Sequence, residues 1–161
     1  MNRVKEFLCL MSFSGFAAQT VIASDEGVLR LETELSQSYL NEMRLEPNTL
    51  EIENGILLRE IHKIESEIYP TLESQVTVII QGFDRRGRVF TSSLERDEAS
   101  VFSVNSLIPC LRSALPLISQ GSVYKVTCPA ETAYGDDGVG EGGILPGAAI
   151  SFRVILLEVL N

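Results

Sequence analysis

The residues with the most chemistry to offer sit in one loop, Ala133-Tyr134-Gly135 and the glycine-rich run that continues to Gly147. β-type runs at 123–128 and 150–160 flank it. A connection this long inside a compact domain is usually functional or disordered. Tyr134 is its one aromatic residue, an apolar ring with a hydrogen-bonding tip. Nothing around it suggests metal chemistry. His62 is the only histidine, and no pair of ligands has the close spacing of a metal site. No cofactor is expected. What Tyr134 can help build is an apolar binding pocket with a few polar groups.

The remaining pocket residues must come from elements on either side. Leu107, Ile108, Leu111, Ala114 and Leu115 make a short apolar helix, with Ser106 as its N-cap. Pro109 falls in the first turn, where a missing N–H costs nothing, and Pro116 marks the end. Strands are expected at 56–61, at 76–83 (rich in β-branched residues), at 88–90, at 100–104 and in the two runs flanking the loop. Asp84-Arg85-Arg86-Gly87 reads as a hairpin turn, with glycine where φ must be positive. An antiparallel sheet with one short helix on its concave face is an α+β arrangement. Leu107, Ile108 and Leu111 would floor a pocket at the end of that helix, and Phe90, Tyr134 and Phe152 would wall it. For Phe152 and Leu111, plain membership of the core explains burial equally well.

Two further segments precede this domain. Residues 1–23 open with Arg3 and Lys5, pass through an apolar stretch from Phe7 to Ala18, and end on Val21-Ile22-Ala23. That is the pattern of a secretory signal peptide cleaved after Ala23. It implies export, to the periplasm, and a mature chain with no integral membrane segment. Residues 24–50 hold a helix over 25–45 and a linker at Pro47-Asn48-Thr49. Val28, Leu31, Leu35, Tyr39 and Met43 recur at spacings of three and four, so they share one face. That stripe must be buried against the chain's own domain or against a second copy in a homodimer; the spacing is compatible with both. The α+β domain then spans 51–161. With 45% apolar and 22% charged residues the chain can bury a core, and its net charge of −9 argues against nucleic acid as a partner. Cys110 and Cys128 remain after cleavage. They can bridge in an exported protein or sit free and buried.

In their order and spacing these pieces resemble FK506-binding-protein (FKBP) type peptidyl-prolyl isomerases over residues 55–159, about two-thirds of the chain. The matching pieces are Val76-Thr77-Val78 with Gly82, Gly87-Arg88-Val89-Phe90 with Ser92-Ser93, and Leu107-Ile108-Pro109 with Ala114-Leu115. They continue in Gly121, Pro129, Ala133-Tyr134-Gly135, Ile144-Leu145-Pro146 and Phe152-Arg153-Val154. An exported member with an N-terminal helix is similar to the macrophage infectivity potentiator group of bacterial FKBPs. The resemblance implies an antiparallel half-barrel sheet wrapped on the short helix. It also implies a site for proline-containing polypeptides, with Tyr134, Phe90, Ile108 and Phe152 in catalytic positions and Leu107, Leu111, Ile144, Ile80 and Thr91 around them. At the Ile108 position the family uses the backbone N–H, and at the Tyr134 position the hydroxyl, to bind ligand carbonyls. Three positions depart from the family: Ile80 stands where tyrosine is usual, Thr91 where aspartate is, and Leu111 where tryptophan is. The function implied is isomerisation of Xaa-Pro bonds during folding of exported proteins. The competing readings are an FKBP-like chaperone or binding module with little turnover, and an assembly subunit that uses the 25–45 helix as its contact.

Overall fold

The computed structural model describes residues 25–94, 99–140 and 143–160. The signal-peptide segment lies outside them. Helix α1 (Asp25–Arg44) leads into strand β1 (Thr49–Glu51), followed by β2 (Leu57–His62), β3 (Gln75–Asp84), β4 (Val89–Ser92) and β5 (Ser100–Ser103). Helix α2 (Pro109–Ala114), β6 (Val123–Cys128) and β7 (Ile150–Leu160) complete the chain. The seven strands form one sheet in the order β1-β2-β6-β7-β3-β4, and β5 also pairs with β3. Every pairing is antiparallel. β4 and β5 share one edge of β3, β5 on residues 75–78 and β4 on 81–83. Ser93 closes the gap between them: its N–H donates to Ile80 O at 2.9 Å and its Oγ accepts from Ile80 N–H at 2.9 Å. No helix among the described residues is long and apolar enough to cross a membrane.

The core lies on the concave face. Val76 and Val78 of β3, Tyr124 and Val126 of β6, and Phe152, Val154 and Leu156 of β7 alternate inward and close on Cys110, Leu111 and Ala114 of α2. Pro109 opens α2 as expected, but Ser106 does not cap it. The N-cap position belongs to Ile108, which has no capping side chain, while Ser106 Oγ donates to Ser103 O at 2.8 Å and so closes the preceding turn. A disulfide joins Cys110 to Cys128 across a Cα separation of 5.7 Å, fastening the first turn of α2 to the end of β6. The hairpin turn forms with Gly87 at φ 79°, and Gly87 N–H donates to Asp84 O at 2.9 Å. β1 occupies part of the segment expected as linker.

Helix α1 lies on the convex face, but not by the stripe that its periodicity suggests. Leu31 and Leu35 are 57% and 38% exposed, whereas Glu32, Ser36 and Leu40 are buried. The helix is turned because its contacts with the domain are largely polar and specific. Glu32 accepts two hydrogen bonds from Arg85, at 2.6 and 2.9 Å. Ser36 Oγ accepts from the buried Ala149 N–H at 2.8 Å, and Tyr39 OH shares a hydrogen bond with Ser151 Oγ at 2.6 Å. Leu40 packs with Leu57 and Ala149 beneath. Pairing with Glu32 raises the Arg85 pKa, so this side chain stays a cation under all working conditions.

Tyr124 supplies an alkaline marker for the native core. It is buried, and its hydroxyl donates to Glu60 Oε2 at 3.3 Å. Burial, and then the negative Glu60, push its pKa up to about 12 from the ordinary 10.0. A raised acid pKa means that the native state favours the neutral phenol. Its contribution is therefore intact below pH ~10 and is lost as pH climbs through about 12. In an ultraviolet phenolate titration, the last step of the native protein should disappear in Tyr124→Phe. If every tyrosine of the native protein ionises near pH ~10, the assignment is wrong.

Candidate functional site

The edge of the concave core facing the glycine-rich loop is built from β4, β7, α2 and the loop itself. Phe90 reaches it because β4 carries a bulge. Gly82 pairs with Thr91 and Phe83 pairs with Val89, which leaves Phe90 as the extra residue. Bulges re-aim side chains beside functional sites, and here the Phe90 ring is laid over the backbone of Gly82. A Cβ on Gly82 would stand 2.6 Å from Phe90 Cζ and 2.7 Å from Thr91 Cγ2. The ring meets Phe152 edge-on, with centroids 5.7 Å apart and planes at 79°. Phe152 itself is fixed in mid-sheet, paired with Gly82 on one side and Val126 on the other.

The loop is held as a small folded unit. Ala130–Thr132 makes one tight turn, and Gly135 N–H donates back to Ala130 O at 2.8 Å, which sets Tyr134 at the exit of that turn. Val139 and Ile144 then exchange both backbone hydrogen bonds, at 2.8 and 3.1 Å. Gly138 makes this possible: it sits at φ 62°, and a Cβ there would fall 2.4 Å from Ile144 O. Arg88, from the hairpin, donates through an Nη to Gly143 O at 2.6 Å and through Nε to Asp84 at 3.1 Å, so it ties the loop to β4.

The sequence-expected residues come together here. Leu111, Ile144 and Phe152 are buried members of the core cluster, and Ile80, Phe90, Leu107, Ile108 and Tyr134 pack on it half-buried. Thr91 lies half-buried opposite Gly82. The first three thus form a closed floor, and the next five supply the accessible apolar surface. Two donors stand free on that surface. Among the described residues, neither the Ile108 backbone N–H nor the Tyr134 hydroxyl has a hydrogen-bond partner. Partial burial raises the Tyr134 pKa, so its hydroxyl keeps its proton at neutral pH and can donate. Ile80 and Thr91 bring no ionisable group to the site. Sequence reasoning missed Val139 and Phe102, which also pack half-buried on this cluster. Val139 lies between two glycines, a position that signals no packing role. The part of Gly82 was not foreseen either; only the Phe90 bulge reveals it.

Among the described residues, an apolar surface with two donors lacking partners is suited to holding a peptide. Comparison with known proteins agrees. The sequence profile of the FKBP-type peptidyl-prolyl cis-trans isomerases matches residues 67–157. The chain is 38% identical to the FKBP-type 22 kDa peptidyl-prolyl cis-trans isomerase of Escherichia coli over 122 residues, 76% of this chain and 58% of that protein. It is 30% identical to the peptidyl-prolyl cis-trans isomerase Mip of Coxiella burnetii over 126 residues, 78% of this chain and 54% of that one. The crystal structure of FkpA from Escherichia coli superposes with a TM-score of 0.79 at 27% identity, covering 86% of this chain and 63% of that one. The chain thus spans a little over half the length of these curated relatives. With its core, its loop and its profile match in agreement, the chain belongs to the FKBP-type peptidyl-prolyl cis-trans isomerase family.

Proposed function

We propose that the protein catalyses cis-trans isomerisation of Xaa-Pro bonds in polypeptides exported to the periplasm, assisting their folding. The observation that carries this is a pair of donors without a partner among the described residues, Ile108 N–H and Tyr134 O–H, on two half-buried residues that pack, like Phe90, on the core cluster of Phe152. Rotation about a peptide bond faces a barrier of about 18–20 kcal/mol. No bond is broken, so no nucleophile is needed; the site has only to favour the twisted amide over the planar one. The planar amide is the more polar form through resonance, and an apolar surface weakens its hold. Donors placed on the carbonyls of the twisted chain add to the difference. Leu111 offers the proline ring less area than the family's indole, which favours a slow enzyme, and at the limit a chaperone-like binding module. Export is supported by the opening of the sequence and by the Cys110–Cys128 bridge, since such bonds persist in oxidising compartments.

Tyr134→Phe is the test. Losing one such hydrogen bond costs about 0.5–1.5 kcal/mol, so kcat/KM on an Xaa-Pro peptide should fall about 2- to 10-fold. The thermal midpoint should hardly move, because the hydroxyl has no partner among the described residues. Leu111→Trp should move activity upward by restoring apolar contact. If Tyr134→Phe leaves the rate unchanged, and Leu111→Trp gives no gain, the assigned site is wrong.

The exposed Leu31 and Leu35 of α1 support a homodimer through this helix. Changing both to Glu should shift sedimentation from dimer to monomer with the domain still folded, since neither side chain is part of the core. A wild-type protein that sediments as a monomer would remove this reading.

A further inference from the structure

The convex face holds a second feature, which the isomerase reading does not use. Register across the sheet places Arg59, Lys125, Arg153 and Gln81 in one row on neighbouring strands. Arg59 is paired with Glu46. Lys125 and Arg153, directly opposite each other, make no ion pair among the described residues. Like charges at directly opposed positions destabilise a sheet, and the chain as a whole is strongly acidic at −9. Lys125 has only soft neighbours: its Nζ lies 2.9 Å from Met43 Sδ and 5.8 Å from the centre of the Tyr39 ring.

Lys125 and Arg153 line a cavity of about 530 Å³ between α1 and the sheet, with Tyr39, Phe83, Ile61 and Arg86 among its other walls. Of the two acids on it, Asp84 is taken up by Arg88 and by the backbone N–H groups of Arg86 and Arg88. Glu42 makes no ion pair among the described residues and sits on an exposed turn of α1. In the next row of the sheet Val123, Ile155 and Ile79 are apolar and His62 ends the row on β2, with Ile61, 47% exposed, at the bulge beside it. A row of cations therefore runs alongside an apolar strip.

We propose that this groove binds an acidic, partly apolar polypeptide segment in extended form. Its carboxylates would meet Lys125, Arg153 and Arg86, and its apolar side chains would rest on Phe83 and the Ile61 strip. Same-side residues of an extended chain recur every ~6.6 Å, a spacing that spans from the cation row to the strip beside it. Adjacent residues of β7 face opposite sides of the sheet, Phe152 inward and Arg153 outward, so this groove and the proline site can be occupied together.

The test uses the full chain and a labelled probe that contains no proline, Asp-Phe-Glu-Leu-Asp, with Asn-Phe-Gln-Leu-Asn as its neutral twin. Binding is followed by anisotropy and by amide shifts. The acidic probe should bind more tightly than its twin, weaken with salt, and shift residues around Lys125, Arg153 and Phe83 but not Tyr134. Lys125→Gln with Arg153→Gln should weaken binding at least ~10-fold while the thermal midpoint stays or rises, because a repulsion has been removed. Exchange on an Xaa-Pro peptide should be unchanged in that variant, which separates this proposal from the isomerase one. Equal binding of both probes, undiminished binding by the variant, or shifts centred on Tyr134 would overturn it. So would a fall in midpoint, which would mean that the cations hold α1 in place, or loss of self-association without loss of probe binding, which would make the groove a contact between copies.

Discussion

Gly82→Ala should lower the thermal midpoint by about 2–10 °C and cut isomerisation of an Xaa-Pro peptide by at least ~10-fold. The added methyl would stand 2.6 and 2.8 Å from Phe90 ring carbons and 2.7 Å from Thr91 Cγ2. The ring cannot simply swing inward, since Phe152 meets its edge and is itself locked between β3 and β6. It must lift away from the site, forfeiting an aromatic contact of about 0.5–1.5 kcal/mol and adding overpacking strain of roughly 1–3 kcal/mol. The expected signature is a loss of activity out of proportion to the loss of stability, with the Phe90 ring resonances displaced. A variant that keeps wild-type turnover would show that Phe90 need not lie where the bulge puts it.

Removing the disulfide should have the largest effect on stability. Cys110 and Cys128 are 18 residues apart in sequence, and closing a loop of that size is worth about 3 kcal/mol in chain entropy. Both residues are fully buried, so Cys110→Ala with Cys128→Ala also leaves unfilled space in the core. The unfolding free energy should fall by at least ~3 kcal/mol, and a reducing agent should lower the wild-type midpoint but not that of the double variant. Because Cys110 lies between Pro109 and Leu111, the pocket floor should loosen and KM rise. A denaturation midpoint indifferent to reductant would mean that the bridge does not form in solution.

Much of this arrangement is legible in the chain, and the parts that are not share a cause. The strands announce themselves through β-branched residues, the Asp84–Gly87 turn through its glycine, and the start of α2 through Pro109. Eight of the nine expected site residues, all but Thr91, belong to or pack on one core cluster, and strand alternation puts Ile80 and Phe152 on the face that α2 covers. Periodicity held only in part on α1, where Tyr39 and Met43 pack on the domain but Leu31 and Leu35 do not. It weighs Leu31 and Leu35 but cannot see that Glu32 has Arg85 waiting, or that Ser36 satisfies the buried Ala149 N–H. Those polar contacts, rather than the apolar stripe, fix the helix rotation. Ser106 failed as a cap because the helix begins only at Pro109, with Ile108 in the N-cap position. The pairing of Cys110 with Cys128, the Phe90 bulge and the crowding at Gly82 are matters of distance between segments, and local sequence carries no distances. β1 is only three residues long and owes its existence to its partner strand β2.

Turnover of Xaa-Pro bonds should take place at the apolar surface around Phe90, where Ile108 N–H and Tyr134 O–H lack partners among the described residues. Two-dimensional exchange spectroscopy on a short Xaa-Pro peptide, with catalytic amounts of the full chain, tests it most directly. Uncatalysed isomerisation takes about 10–100 s. Exchange should accelerate well above that rate, in proportion to protein concentration, with the Ile108 amide and the Tyr134 ring shifting as peptide is added. Peptide that shifts these two residues while exchanging no faster than it does alone would contradict it and leave a binding module in its place.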